Sequence, residues 1–436
     1  MPEPLRIAVA GLGTVGLEVV RLLQTEADLI ADRARRPVEV VAVSARDRSR
    51  DRGIDLSAYR WFDDAAEMAS AADCEMVVEV IGGSEGPAKD VCEAALKAGR
   101  HVVTANKALI AIAGRELIDL ADQAGKSIVC EAAVAGGIPI IKGLREGLAA
   151  NQISSVFGIL NGTCNYILTR MEETGRAFED ILAEAQELGY AEADPAFDID
   201  GVDAAHKLAI LAAIAFNTHV DFDQVTVEGI RPVTAADIKY ADKLGYRIKL
   251  LGLAARVGEG ASQKLTARVG PVLVPKDRLL ARIDGVFNTV VADGHAVGPV
   301  MMVGAGAGGG PTASAIIADI VDIARGQTPP AFGVSTDKLA NLPIQPIEER
   351  VGMYYIRAKV IDQPGVLADI TACLRDEDVS VDSLIQRGRA PGETVSLVIV
   401  THDAVEAAVR RAMTKISAID AVLQPPTVLR IEPSLG

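Results

Sequence analysis

Aromatic residues make up only 4% of this 436-residue sequence, with a single tryptophan, against 49% hydrophobic residues in all. The apolar volume therefore comes from Ala, Val, Ile and Leu, the composition of parallel sheets covered by helices, and a disordered chain is excluded. Cysteine is also scarce. The five present, Cys74, Cys92, Cys130, Cys164 and Cys373, are odd in number, widely spaced and without a C-x-x-C pair. That pattern argues against a disulfide framework, a thiolate metal site or a dithiol redox centre, and for a reducing, cytoplasmic setting. Positive charge is in deficit: 44 basic residues against 59 acidic ones leave a formal charge of −15, with no extended run of Lys or Arg, so nucleic acid is excluded as a partner. Apolar stretches are broken by Gly, Pro or charge before reaching membrane-spanning length, and Met1-Pro2-Glu3-Pro4 lacks the basic start of a secretion signal, so a soluble protein is expected.

What is present alternates. The apolar run Leu5 to Ala10 enters the loop Gly11-Leu12-Gly13-Thr14-Val15-Gly16, after which Val15, Val19, Leu22 and Leu23 fall at helical spacing. Strands are predicted over 38–44, 75–81, 101–104 and 127–131, with helices over 87–98 and 109–124 between them. This is the pattern of an α/β chain, and it predicts a Rossmann-like doubly wound parallel sheet over residues 1–131. Residues 132–326 read as an α+β catalytic and oligomerisation domain, with helices over 178–188 and 202–216 and β-like runs over 250–257, 265–273 and 286–291. Its last part, 304–325, is a glycine-rich loop and helix expected to pack back on the first domain. A proline-bearing linker is expected over 327–350. Residues 351–436 then follow the order βαββαβ, with strands over 353–361, 379–386, 394–401 and 422–431 and helices over 366–375 and 404–416, the ferredoxin-like split unit.

The chemistry starts at the glycine loop. A G-x-G-x-x-G string that follows a strand and opens a helix binds a dinucleotide: the first glycine makes the turn, the second admits the pyrophosphate, and the third lets helix pack on strand. Gly11, Gly13, Thr14, Val15 and Gly16 are the expected contacts. At the end of the second strand, where an acidic residue would bind the ribose of NAD, the chain has Ser44-Ala45-Arg46; a guanidinium suits a 2′-phosphate, so NADP is expected ahead of NAD. Asp203 and Lys207 stand at i and i+4 on the helix starting near Val202, which places them on one face as an acid/base pair or a plain surface ion pair. Glu192, Asp194, Asp198, Asp200 and Asp203 crowd one loop, a cluster that repels itself unless a cation meets it: a substrate ammonium, a metal ion or bulk solvent. Lys107 stands at the carboxyl end of a strand, where open α/β sheets bind ligands.

These segments together resemble homoserine dehydrogenase. The resemblance rests on the glycine loop, on Thr104-Ala105-Asn106-Lys107, on Glu131 to Pro139, on Asn161-Gly162-Thr163, and above all on AQELGYAEADPAFDIDGVDAAHK over 185–207. It runs through about Arg325, and the tail from Gly352 resembles an ACT regulatory domain. The resemblance implies NAD(P)-dependent interconversion of L-homoserine and L-aspartate 4-semialdehyde, a step toward threonine, methionine and isoleucine. Lys207 would transfer the proton, Lys107 would hold the substrate hydroxyl or a water, and Asp203 would orient the reacting end. Glu192 and Asp198 would hold the amino group, with Thr163 a further substrate contact, while Thr104, Gly306 and Thr312 would touch the cofactor. Glu131 with the carbonyls of Val134, Gly136 and Ile138 would form a site for a monovalent cation such as sodium, since oxygen-only ligands suit a hard cation. The turn Asp362-Gln363-Pro364-Gly365 would belong to an amino-acid effector site, with threonine the expected effector, in a homo-oligomer, dimer or tetramer.

Two rival readings stand beside this one. A semialdehyde dehydrogenase would need an activated cysteine, for which Cys130 and Cys164 are the candidates near the site. A non-catalytic amino-acid sensor would keep the cofactor fold and use the tail as its receptor, and the presence of Lys107, Asp203 and Lys207 together argues against it.

Overall fold

The computed structural model describes residues 2–219, 221–386 and 392–435. They form two compact units, each discontinuous in sequence: Met1–Leu160 with Ala205–Val225 and Phe287–Leu342, and Asn161–Ala204 with Thr226–Val286 and Pro343–Gly436.

The first unit is built on a parallel sheet of β1 (Leu5–Ala10), β2 (Val38–Ser44), β3 (Arg60–Phe62), β4 (Met76–Glu79), β5 (His101–Thr104) and β6 (Ile128–Val129), in the order β3-β2-β1-β4-β5-β6. The order reverses at β1 and β4, and this switch point opens a crevice at the carboxyl ends of the strands. Helix Thr14–Thr25 follows β1 directly and buries Val19, Val20 and Leu23, each contributing about 1.5–3 kcal/mol over an exposed position. Ile316 and Ile320 of helix Gly309–Ala324 join the same buried cluster, although some 300 residues separate them from β1 in the chain.

Two differences from the sequence reading matter. The fifth predicted strand stops at Val129, and Glu131–Ala133 forms a 3-10 turn, because the Glu131 N–H leaves the sheet to bond the Asp319 carboxylate at 2.9 Å. The segment expected as a linker is pinned at intervals: Ala340 bridges to Thr218 within the first unit, and Ile344 to Leu265 within the second.

The second unit is organised around an antiparallel pair, Tyr246–Val257 with Lys264–Pro275. The C-terminal strand Thr427–Ile431 pairs in parallel with the latter, Val272 opposite Arg430, and on its other edge with Val351–Ile361, followed by Thr394–Thr401 and Val381–Gln386. The C-terminal βαββαβ module therefore continues the sheet of this unit instead of hanging from it. Its helices Val366–Arg375 and Glu406–Ser417 close one core with Tyr354, Ile356, Leu397 and Ile399.

Candidate active site

In the first unit the glycine loop meets the steric demands of its motif. Gly11 has φ 105°, and a Cβ there would stand 2.6 Å from the Val80 carbonyl oxygen; a Cβ at Gly16 would stand 2.0 Å from the Gly11 oxygen. At Gly13 a Cβ would meet nothing within 4 Å. The protein thus explains two glycines, and the third leaves room where helix Thr14–Thr25 begins without a side-chain cap or a first-turn acid. Uncapped N–H groups at a helix start suit an anion. Helix Gly309–Ala324 also begins uncapped, at Gly308, and Gly309 lies beside Thr14, with its Cβ position 3.3 Å from the Thr14 methyl. The Gly11 N–H donates to the Ser44 carbonyl at 2.9 Å, which fixes the end of β2 next to the loop and places exposed Arg46 two residues beyond it.

At the ends of β4 and β5 stands Glu79, fully buried, which the sequence reading passed over. Its carboxylate accepts from the Thr104 hydroxyl at 2.5 Å and the Ile81 N–H at 2.7 Å, and burial raises its pKa. The Thr104 hydroxyl in turn accepts from the Asn106 N–H at 2.9 Å, so it is committed within the turn. Asn106 caps helix Lys107–Ala124 through the Leu109 N–H. This chain of bonds sets half-buried Lys107 as the first residue of that helix.

Lys207 is buried in helix Val202–Phe216, among Ala204, Leu208 and Leu211. An ammonium in an apolar helix requires a partner, and Nζ donates to the Leu160 carbonyl at 2.7 Å. Asp203, one turn earlier, is also buried. Within the second unit, the Asn161 amide gives one hydrogen to Asp203 and one to Asp198, each at 2.8 Å, while its oxygen caps helix Gly162–Thr174 through the Cys164 N–H. Two carboxylates are thereby tied to one amide. Asn161 enters the sequence reading only within the resemblance and with no role of its own, because the helix that it caps is not predicted there. The Thr163 hydroxyl donates to the Tyr190 carbonyl at 2.7 Å, and Glu192 is exposed.

Glu131 takes the Ile141 and Lys142 N–H groups on its two oxygens, at 2.9 and 2.8 Å. Burial first, then the charge of Asp319, raises its pKa to about 7. The loop that follows turns through positive φ at Ala135 (54°) and Gly136 (49°), and the Gly137 N–H bonds the Ala305 carbonyl, joining it to the later glycine loop. Gly306 there lies against Asn288, while Thr312 is buried in the first turn of its helix.

The cysteines are poorly placed for nucleophilic work. Burial, then the charge of Asp319, pushes the Cys130 thiol up to about 12, and Cys164 is buried with its thiol on the Asp198 carbonyl. Burial thus keeps the Cys130 thiol protonated, and the thiolate is the reactive form. Replacing Cys130 and Cys164 by Ser is expected to leave most activity in a steady-state assay; its abolition would point to a covalent thioester.

Comparison with known proteins gives a consistent result. The family model for homoserine dehydrogenase matches residues 139–321, the one for its NAD-binding domain 11–131, and that for the ACT domain 354–418. Homoserine dehydrogenase of Neisseria gonorrhoeae is 44% identical over 99% of this chain and 99% of its own. The crystal structure of a homoserine dehydrogenase from Thiobacillus denitrificans superposes with a TM-score of 0.92 at 44% identity, covering 99% of both chains. A hyperthermophilic archaeal homoserine dehydrogenase in complex with NADPH gives 0.61 at 28% identity, over 78% of this chain and 100% of that one. Identity at this level along the whole of both chains extends well past a shared cofactor fold, and the chain belongs to the homoserine dehydrogenase family.

Proposed function

We propose that the protein interconverts L-homoserine and L-aspartate 4-semialdehyde, with Lys207 carrying the hydroxyl proton. The observation behind this assignment is the buried Lys207 ammonium, oriented by the Leu160 carbonyl at 2.7 Å and one helical turn from Asp203. Oxidising an alcohol needs its proton removed as hydride leaves, so a positioned acid/base is required; the bound nicotinamide supplies the hydride acceptor. Asp203 orients the reacting end, and Lys107 holds the hydroxyl or an ordered water. Asp198 and Glu192 bind the substrate ammonium, with Thr163 lining the same site.

The preferred cofactor in this reading is NADP, with NAD the alternative. Arg46 supports it, exposed just past the strand end that is bonded to the glycine loop, as does the NADPH bound by the archaeal relative. Arg46→Ala is expected to raise KM for NADP about tenfold or more, since a charge-assisted hydrogen bond is worth about 1.5–3 kcal/mol, and to leave KM for NAD nearly unchanged. Equal effects on the two would assign the 2′-phosphate to another group.

Glu131 with the Val134, Gly136 and Ile138 carbonyls fits a monovalent cation: all donors are oxygen, and a positive ion offsets the cost of burying that carboxylate. In the C-terminal module, a cavity of about 390 Å³ lined by Val360, Asp362, Gly365, Leu367 and Leu397 is large enough for an amino acid such as threonine. Homo-oligomerisation belongs to the same proposal, because ACT modules pair between chains. The deciding experiment is a steady-state assay of homoserine oxidation with each cofactor, with and without threonine. Failure of homoserine to reduce either cofactor would overturn the assignment.

A further inference from the structure

We propose that Glu228 and Arg430 are positioning residues for substrate binding: the last strand of the C-terminal module holds the backbone on which the Asp198–Asp203 turn rests. This inference builds on the assignment of those carboxylates to the substrate.

Arg430 lies on strand Thr427–Ile431, its side chain 5% exposed. Glu228 accepts from its Nη1 at 2.6 Å and its Nη2 at 3.1 Å, and Glu406 from its Nη2 at 2.6 Å and its Nε at 2.9 Å. Glu406 also takes the Tyr354 hydroxyl at 3.0 Å. A guanidinium held on both sides by bidentate carboxylates has little freedom to swing. Glu228 is fixed from its backbone as well, its N–H on the Val269 carbonyl at 2.9 Å.

The next residues carry this restraint forward. A Cβ at Gly229 would stand 2.3 Å from the Ile199 oxygen and 2.6 Å from the Asp200 Cα, so the two backbones touch with no room between them. The Ile230 N–H donates to the Ile199 carbonyl at 2.9 Å, and a Cβ at Gly201 would lie 3.3 Å from the Glu228 oxygen. Asp198 stands immediately before this contact and Asp203 two residues after it, both on the Asn161 amide. A shift of Glu228 is therefore transmitted to the turn that carries both carboxylates, and small misplacements of binding groups are costly.

Glu228→Ala tests this, because Arg430 keeps Glu406 and no buried charge is orphaned; removing Arg430 would leave Glu406 with only Arg410 and the Tyr354 hydroxyl. The variant is expected to raise KM for homoserine about tenfold with kcat and the NADP KM nearly unchanged, and Glu228→Gln, which still accepts from Arg430, to recover most of the loss. Asp198→Asn serves as the reference. If it raises KM for homoserine and Glu228→Ala does not, the positioning role is wrong and the substrate assignment survives. If Asp198→Asn leaves KM unmoved, the substrate assignment fails and takes this inference with it. A Glu228→Ala defect shared equally by both substrates would signify general damage and overturn the proposal.

Discussion

Replacing Lys207 by Ala is expected to lower kcat about 1,000-fold, within the 10²–10⁴ range of a lost general acid/base, while NADP binding measured by fluorescence titration changes little. The two effects separate because the lysine and the glycine loop lie on different elements, helix Val202–Phe216 and the turn after β1. Some loss of stability will accompany the substitution, since the Leu160 carbonyl loses its donor and the helix loses buried volume. Lys207→Met controls for the volume: it refills the space without a titratable group, so its melting temperature should stay near that of the native chain while kcat remains low. A variant whose turnover recovers with Met would show that packing, and not proton transfer, is what Lys207 supplies. Partial rescue of Lys207→Ala by a small primary amine in the assay is the complementary expectation.

The second large effect is a contrast between two glycines of one loop. Gly16→Ala places a Cβ 2.0 Å from the Gly11 oxygen, inside any tolerable contact, so helix and loop must separate. It is expected to abolish measurable cofactor binding and to lower the melting temperature even without cofactor. Gly13→Ala meets nothing within 4 Å and should fold and melt like the native chain in the absence of cofactor. Its binding of NADP should nevertheless fall by tenfold or more, because a methyl group there occupies the approach of the pyrophosphate to the helix N-terminus. Calorimetry of each variant with and without NADP reads both effects. Normal cofactor affinity in Gly13→Ala would move the phosphate away from this loop.

Local signals were legible in the sequence. Helix Val202–Phe216, helix Val366–Arg375 and strand Thr394–Thr401 appear with the predicted ends, since apolar periodicity and turn residues act over a few positions. Strand Arg60–Phe62 was not read: it is three residues long, begins with Arg, and sits at the sheet edge, where half-burial leaves little apolar pattern. Strands Ile153–Ile159 and Gly298–Ala305 and helix Gly162–Thr174 were likewise unread; the helix carries three Thr among its 13 residues and a weakly apolar face, so its stability comes from packing.

The site divides along the same line. The sequence by itself determined that a dinucleotide binds, because a glycine loop between strand and helix is a local pattern with few chemical meanings; the reaction class came from the resemblance over 185–207, since an aspartate and a lysine one turn apart also make a plain surface ion pair. Tertiary structure alone decided who holds these groups: the Leu160 carbonyl for Lys207, the Asn161 amide for Asp198 and Asp203, Thr104 for Glu79, and Arg430 for Glu228. A buried charge must find its partner wherever the fold brings one, here 25 to 202 residues away in the chain, and no spacing rule records that distance.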